Sequence, residues 1–444
     1  MIFLKRIQRR AGVRSSLSNI GWLGSDRMVR MLGAVLVSTL VARYLGPNQF
    51  GLLNYGLAIY GLFNTLSNLG LDSLVIREVA LDAREEPHVL GTAFVLKAVG
   101  SVATTAGAIL AARLLEPHDT ILLIIVALMS IASISQALDV IDYFFQARVQ
   151  SRYVAIPRMI VFVIASIARA AAVLLKMKLL AFAWIAALEV LATEIGLGIT
   201  YLYVRRPQLR WQWHVGRAKE LFAESWPLMI SSLMIMIYLR TDQVLLGKMA
   251  PMSVVGNYAA AIRLSETWYS VPLIIAASVM PRLLQSREQN PARYYARLQL
   301  FYEVMVFLSV VITVLVLFAG PSLIRLLYGK EFTSAASILS VHIWTGIFVF
   351  LGAVSAQQYV HERITVSVMR RTALGAIVNV GLNLWWIPLW GGIGSAMATL
   401  VAQSISSYFA DALDRRTRHI FRMKTRAYWR FWMVPGLVWR ELRP

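Results

Sequence analysis

The sequence predicts an all-α, polytopic membrane protein of about twelve transmembrane helices in two pseudo-symmetric six-helix lobes around a central cavity. Three observations predict it. Hydrophobic residues make up 58% of the 444-residue chain and charged ones 15%, far from a soluble protein's balance. Apolar stretches recur along the chain, each long enough to cross a hydrocarbon core, which takes about 20 helical residues. The connections between them are basic on every second occasion, the asymmetry expected of a protein with one cytoplasmic face.

The elements follow in order. The first span, 27–45, comes after a basic tail (Lys5, Arg6, Arg9, Arg10, Arg14) that leads into no apolar core with a small-residue cleavage site. The sequence therefore predicts no removable signal peptide, and the first helix directs insertion. Spans 52–75, 89–112, 120–141, 154–175 and 179–203 complete an N-terminal lobe, 1–205. Gly, Ala and Ser crowd the third of them, which suits close packing between helices. Spans 226–248, 252–281, 298–318, 334–357, 366–387 and 391–413 form a C-terminal lobe, 206–414. Trp385, Trp386 and Trp390 cluster where an outer interface would anchor a helix. The tail 415–444 mixes Arg418, Arg422, Lys424, Arg426 and Arg430 with Tyr428, Trp429, Phe431, Trp432 and Trp439. That is the makeup of a segment lying on an anionic membrane surface rather than of a further span.

Charge supports the even count. With the N-terminus inside, 31 of the 44 basic residues fall on the cytoplasmic side and 7 on the other, the rest lying within or at the edge of spans. This is the positive-inside bias, and it puts both termini in the cytoplasm. An odd number of helices would scramble it. The net charge of +21 is accordingly topological, and no nucleic-acid partner is expected. Cysteine is absent, which removes thiolate chemistry, and the six histidines are too scattered for a zinc site. No HExxH, Walker loop or GxSxG occurs, so neither a metal, a cofactor nor an enzymatic activity is expected.

The halves echo one another. Leu45-Gly46 followed by Phe50-Gly51 opens the second helix, and Leu246-Gly247 followed by Val255-Gly256 opens the eighth. Six helices separate the copies, so they share an orientation, as parallel repeats about an axis along the membrane normal do.

Four stretches carry a resemblance to a known family. They are Arg43-Tyr-Leu-Gly-Pro-Asn-Gln-Phe-Gly51; Asp242-Gln-Val-Leu-Leu-Gly247 with Val255-Gly-Asn-Tyr258 and Arg263; Ile324-Arg-Leu-Leu-Tyr-Gly-Lys-Glu-Phe332; and Asn379-Val-Gly-Leu-Asn383 with Ile387-Pro-Leu-Trp-Gly-Gly-Ile-Gly-Ser-Ala396. In this order the chain resembles the polysaccharide transporter (O-antigen and capsule flippase) family of the multidrug/oligosaccharidyl-lipid/polysaccharide exporter superfamily. The resemblance implies a two-lobed fold alternating between inward- and outward-facing states. It implies export of undecaprenyl-diphosphate-linked oligosaccharide units across a prokaryotic inner membrane for O-antigen, capsule or exopolysaccharide synthesis. The lipid-linked oligosaccharide and membrane lipids are the expected partners, with a polysaccharide polymerase and a chain-length regulator beside them.

Ionisable groups in hydrocarbon cost about 2.5–3.5 kcal/mol on insertion scales and so face a cavity or a partner. The basic ones here are Arg30, Lys97, Arg169, Arg240 and Arg263, with Arg27 at the edge; the acidic ones are Asp242, Glu266, Glu189 and Glu194. Arg263 lies about 11 residues into its helix, roughly 16 Å deep. One reading is a cationic chamber for the diphosphate, for which arginine's planar fork is suited. The other is internal pairing, such as Arg240 or Arg263 with Asp242 or Glu266. For Arg30, Lys97 and Arg169 no carboxylate stands at similar depth on their own helices, which favours the chamber. The four carboxylates are candidates for proton or sodium coupling. Asn379 and Asn383 share a helix face, suited to bonding a neighbouring helix, with sugar contact as the alternative.

Two rivals remain. A cation-coupled multidrug exporter of the same superfamily handles mostly cationic substrates, which five buried cations oppose. A membrane-embedded polysaccharide polymerase would carry a large outer loop, and every outer connection here is short.

Overall fold

Lipid offers no partner to a backbone N–H or C=O, so a chain this apolar must bond its backbone within helices. The computed structural model describes residues 2–82, 84–205, 211–362 and 364–436, with most side chains described from Arg30 onward, and among the described residues there is no strand. Arg27 and Trp439, named above, lie outside the described side chains. The helices are α1 Ile2–Ser67, α2 Asp72–Leu81, α3 Glu86–Leu115, α4 Thr120–Ser133, α5 Val140–Ala147, α6 Arg152–Leu174, α7 Leu179–Arg205 and α8 Val215–Met249. They continue with α9 Met252–Thr267, α10 Ser270–Gln289, α11 Pro291–Tyr328, α12 Thr333–His342, α13 Thr345–His361, α14 Thr365–Ser404, α15 Ala410–Leu413 and α16 Arg418–Arg430. The protein is an all-α, multi-pass membrane protein.

By length and composition, seven of the described helical stretches can cross a membrane, or eight if the pair α12 and α13, bent by 47°, is one span. That is fewer than the twelve expected, and α1, which covers the first expected span and most of the second, is not among them. Two long helices each run through two expected spans and break at a glycine. α1 breaks at Gly46 (φ 68°), which is followed by Pro47, and α14 breaks at Gly391 (φ 54°), three residues after Pro388. A side chain is disfavoured at positive φ and proline lacks the N–H, so each pair is a sequence-encoded bend. Two boundaries also differ. The span expected at 52–75 ends at Ser67 in a turn through Leu69 and Gly70, both at positive φ. The span expected at 252–281 is divided between α9 and α10 by a turn at Trp268 and Tyr269.

Contacts divide the chain into two compact units: unit 1 is 1–45 with 52–236, and unit 2 is 46–51 with 237–444. The core of unit 1 is aromatic and aliphatic, with Phe144, Phe145 and Tyr201 stacked edge to face among Val89, Leu90 and Leu197. Unit 2 has a core of Tyr294, Tyr302, Met305 and Phe350, closed by Ile420 and Ala427 of α16. The tail helix is thus docked. Outward faces are apolar: Ile160, Ile164 and Ile167 on α6 are each more than half exposed, the spacing of a lipid-facing stripe.

The glycine motifs have a role in unit 2. A Cβ added to Gly51 would collide with the Met252 carbonyl oxygen, and one added to Gly256 with that of Pro47. The two echoed segments pack backbone against backbone.

Candidate substrate and ion sites

In unit 1 the turn after α1 and helices α3, α5 and α6 surround a polar cavity of about 470 Å³. Lys97 of α3 stands in its wall and is 1% exposed. Its ammonium donates to Asn68 Oδ1 at 3.0 Å and to Tyr143 Oη at 2.9 Å, and reaches Asp139 Oδ2 at 3.3 Å. Tyr143 donates to the same Asn68 oxygen at 2.7 Å. Asp139 is shared, because Arg158 lies 3.6 Å from its other oxygen while pairing with Asp142 at 2.9 Å. Glu194 of α7 is 3% exposed, acts electrostatically on this group, and has one carboxylate oxygen buried without a hydrogen-bond partner among the described residues. Two cations thus stand among these three carboxylates, and Asp72 lines the same cavity, so carboxylates outnumber cations and the group balances only with further protons or cations.

The remaining residues singled out in unit 1 stand apart from the cavity's wall. Arg169 of α6 bonds Glu189 of α7 at 2.5 Å, so the carboxylate missing from its own helix comes from the adjacent one. Arg30 is half-buried on α1.

In unit 2, Arg240 of α8 lies 3.8 Å from Glu266 of α9, with Arg263, which is exposed, acting on the same carboxylate. Arg240 does not pair with its sequence neighbour Asp242. That carboxylate is 2% exposed and accepts from the Tyr258 hydroxyl and, at 2.7 Å, from the Gln243 N–H. Asn383 donates to the Asn379 carbonyl at 2.8 Å and accepts from Ser395 at 2.7 Å, tying the halves of α14 together across Gly391.

The tail carries a second buried lysine. Lys424 is fully buried, bonding Asp411 Oδ2 and the Ser407 carbonyl, both at 2.7 Å. It faces inward, unlike the surface stripe expected of it, because α16 turns Ile420, Lys424 and Ala427 onto unit 2 and leaves Arg418, Arg422, Arg426 and Trp429 outside. Burial pushes its ammonium down to about 8, against the opposing pull of Asp411. A hydrogen bond from His419 to Glu362 raises the histidine above its ordinary value.

Sequence reasoning missed Asp139, Asp142, Tyr143, Asn68 and Arg158. The signal was present: Asp139 and Asp142 are three apart at a span's end, and Arg158 lies inside the expected span 154–175.

Residues 16–287 match the family described as "Polysaccharide biosynthesis protein". The chain belongs to this family. A curated relative, "Probable flippase AglR" of Haloferax volcanii, is 26% identical over 188 residues, 39% of this chain; the match spans 37% of that relative's length. Among solved structures the chain is similar to "Lipid II flippase MurJ, inward closed conformation" (TM-score 0.67, 14% identity, 95% of this chain and 93% of that one). It is also similar to an inward-facing multidrug resistance MATE family transporter of the MOP superfamily (TM-score 0.65, 12% identity, 94% and 99%). At such identities these two likenesses concern the fold.

Proposed function

We propose that the protein flips undecaprenyl-diphosphate-linked oligosaccharide repeat units from the cytoplasmic to the outer leaflet of a prokaryotic inner membrane, for surface polysaccharide synthesis. The observation that carries the proposal is Lys97, a lysine buried to 1% exposure yet built into the wall of a polar cavity. A cation held there by shared partners is suited to exchange one of them for a phosphate oxygen. The family and the flippase named among the relatives support the same reading. The proposal includes twelve spans in two six-helix lobes corresponding to the two units, both termini in the cytoplasm, and no enzymatic activity. A polysaccharide polymerase and a chain-length regulator are proposed partners.

Within this reading Lys97 and Arg158 meet the diphosphate once protons or cations neutralise the carboxylates beside them, with Arg30, Arg240 and Arg263 as further contacts along the path. Arg169 and Glu189 hold α6 to α7. Glu194 is the coupling residue, because its unpartnered oxygen stands in a cluster where carboxylates outnumber cations. The purified protein in vesicles should move a labelled lipid-linked oligosaccharide to the opposite leaflet without lengthening it. Chain growth would replace flipping with polymerisation. Transport of organic cations with no movement of the lipid-linked sugar would favour the drug-exporter reading. Glu194→Gln should flatten the dependence of flux on pH; a flux that ignores pH and sodium gradients in the unaltered protein removes the coupling role.

A further inference from the structure

A second cavity, of about 620 Å³, lies in unit 2 beside the start of α14 and the turn between α15 and α16. Neither the transport reading nor the family match assigns it a role. One wall is a single helix face, since Ser367, Arg370, Arg371 and Leu374 follow the three- and four-residue spacing of α14. The facing turn adds Arg415 and Arg416, which makes four guanidinium groups on one concave surface.

The two carboxylates in this wall are already engaged. Asp411 is 1% exposed and is bonded by Lys424 at 2.7 Å and by Tyr359 at 2.5 Å. Asp414 accepts from the Ser367 hydroxyl and, at 2.9 Å, from the Arg416 N–H. The arginines are not similarly consumed. Arg370, Arg415 and Arg416 are exposed and form no ion pair among the described residues. Arg371 packs its guanidinium over the Tyr359 ring at 4.0 Å. Its Nε and Nη1 are buried without a hydrogen bond, although Nη1 forms a long ion pair with Asp411 at 3.7 Å. A buried, oriented guanidinium with unused donors, backed by three exposed ones, is the recognition chemistry of a phosphate.

Position indicates what presents that phosphate. The cavity lies where a membrane-length helical stretch, Ser367–Leu413, ends. The adjoining α16 exposes Arg418, Arg422, Arg426 and Trp429 along one side, with Trp429 77% exposed and Trp432, just beyond, 67%. A helix with that side lies at headgroup level. We propose that this arginine cavity is a binding site for a phosphate group, presented by the headgroup of an anionic phospholipid. It is distinct from the Lys97 cavity and does not depend on what the protein transports.

The test uses the full-length protein in detergent, titrated with phosphatidylglycerol, phosphatidylcholine and inorganic phosphate and read by native mass spectrometry. Phosphatidylglycerol should bind at one saturable site and more tightly than phosphatidylcholine. Arg370→Gln combined with Arg416→Gln should weaken that binding by about tenfold or more, the scale of losing two charge-assisted contacts. Both side chains are exposed, so this variant should fold even if Arg371→Gln does not. If inorganic phosphate fails to displace the lipid, the site requires the lipid; if it displaces it, the site reads the phosphate itself. Either result upholds a phosphate site. Binding of phosphatidylglycerol that the double variant leaves within the error of the unaltered protein, or that phosphatidylcholine equals, overturns it.

Discussion

Lys97 in unit 1 and Lys424 in unit 2 are both almost wholly buried, yet their surroundings differ in kind. Lys424 is enclosed: Asp411 serves it directly, Tyr359 occupies the other Asp411 oxygen, and a backbone carbonyl takes a further donor. Lys97 is held by partners with other commitments, since Asp139 also answers Arg158 and Asn68 also answers Tyr143. It stands in a cavity wall itself, whereas at the other site it is the partner, Asp411, that lines a cavity. Burial alone therefore does not identify a working charge. A cation with divided partners that itself lines a void is available for chemistry; one held closely by a buried carboxylate and a backbone carbonyl is a fastener.

The largest expected effect tests the first half of this contrast. Lys97→Ala should abolish surface-polysaccharide export at unchanged protein level, and Lys97→Arg should restore part of it. Export by the alanine variant at the unaltered rate would dissolve the distinction. The second test concerns the fastener. Lys424→Met leaves Asp411 buried without its cation and should cost about 3–5 kcal/mol, seen as a lower unfolding temperature in detergent. Lys424→Met with Asp411→Leu should recover most of that loss, because a buried pair replaced by apolar groups is often neutral.

A smaller effect is read in pH. Burial holds Lys424 down to about 8, below its ordinary 10.5, so above pH 8 the unfolded chain keeps a proton that the folded one has released. The unfolded state then binds more protons, and this group's contribution to stability rises with pH from about 8 upward. The unfolding temperature of the unaltered protein should gain on that of Lys424→Met between about pH 7.5, below this window, and about pH 10, well inside it. A constant difference would mean that the lysine stays charged. The smallest effect is at His419, 41% exposed and 3.2 Å from Glu362. Its value is raised in the fold, so its stabilisation is present below the unfolded value and disappears as pH rises through the folded one. His419→Gln should cost about 0.5 kcal/mol at acid pH, after discounting for solvent screening, and nothing at alkaline pH.

The fold was legible because lipid imposes one rule on every span. Hydropathy located the apolar stretches, and Gly46-Pro47 and Pro388 with Gly391 advertised the two bends. Ionic partnerships were less legible, since they depend on which helices adjoin. Nothing local to α6 announces that Glu189 of α7 will answer Arg169. Asp139 escaped notice because it sits near a span's end, and Arg158 because a positive-inside count treats it as topology. Lys424 was read from a basic, aromatic composition that says where a helix lies but not which of its sides turns inward.

The backbone crossing of Gly51 with Gly256 has a genetic consequence. A bulky substituent in most cores can be relieved by trimming the side chain it strikes. Here the obstacle on each side is a main-chain carbonyl, of Met252 or Pro47, which no codon change can shorten. Alanine at either glycine should therefore yield no intragenic suppressor among the residues it strikes, and revertants should restore glycine itself.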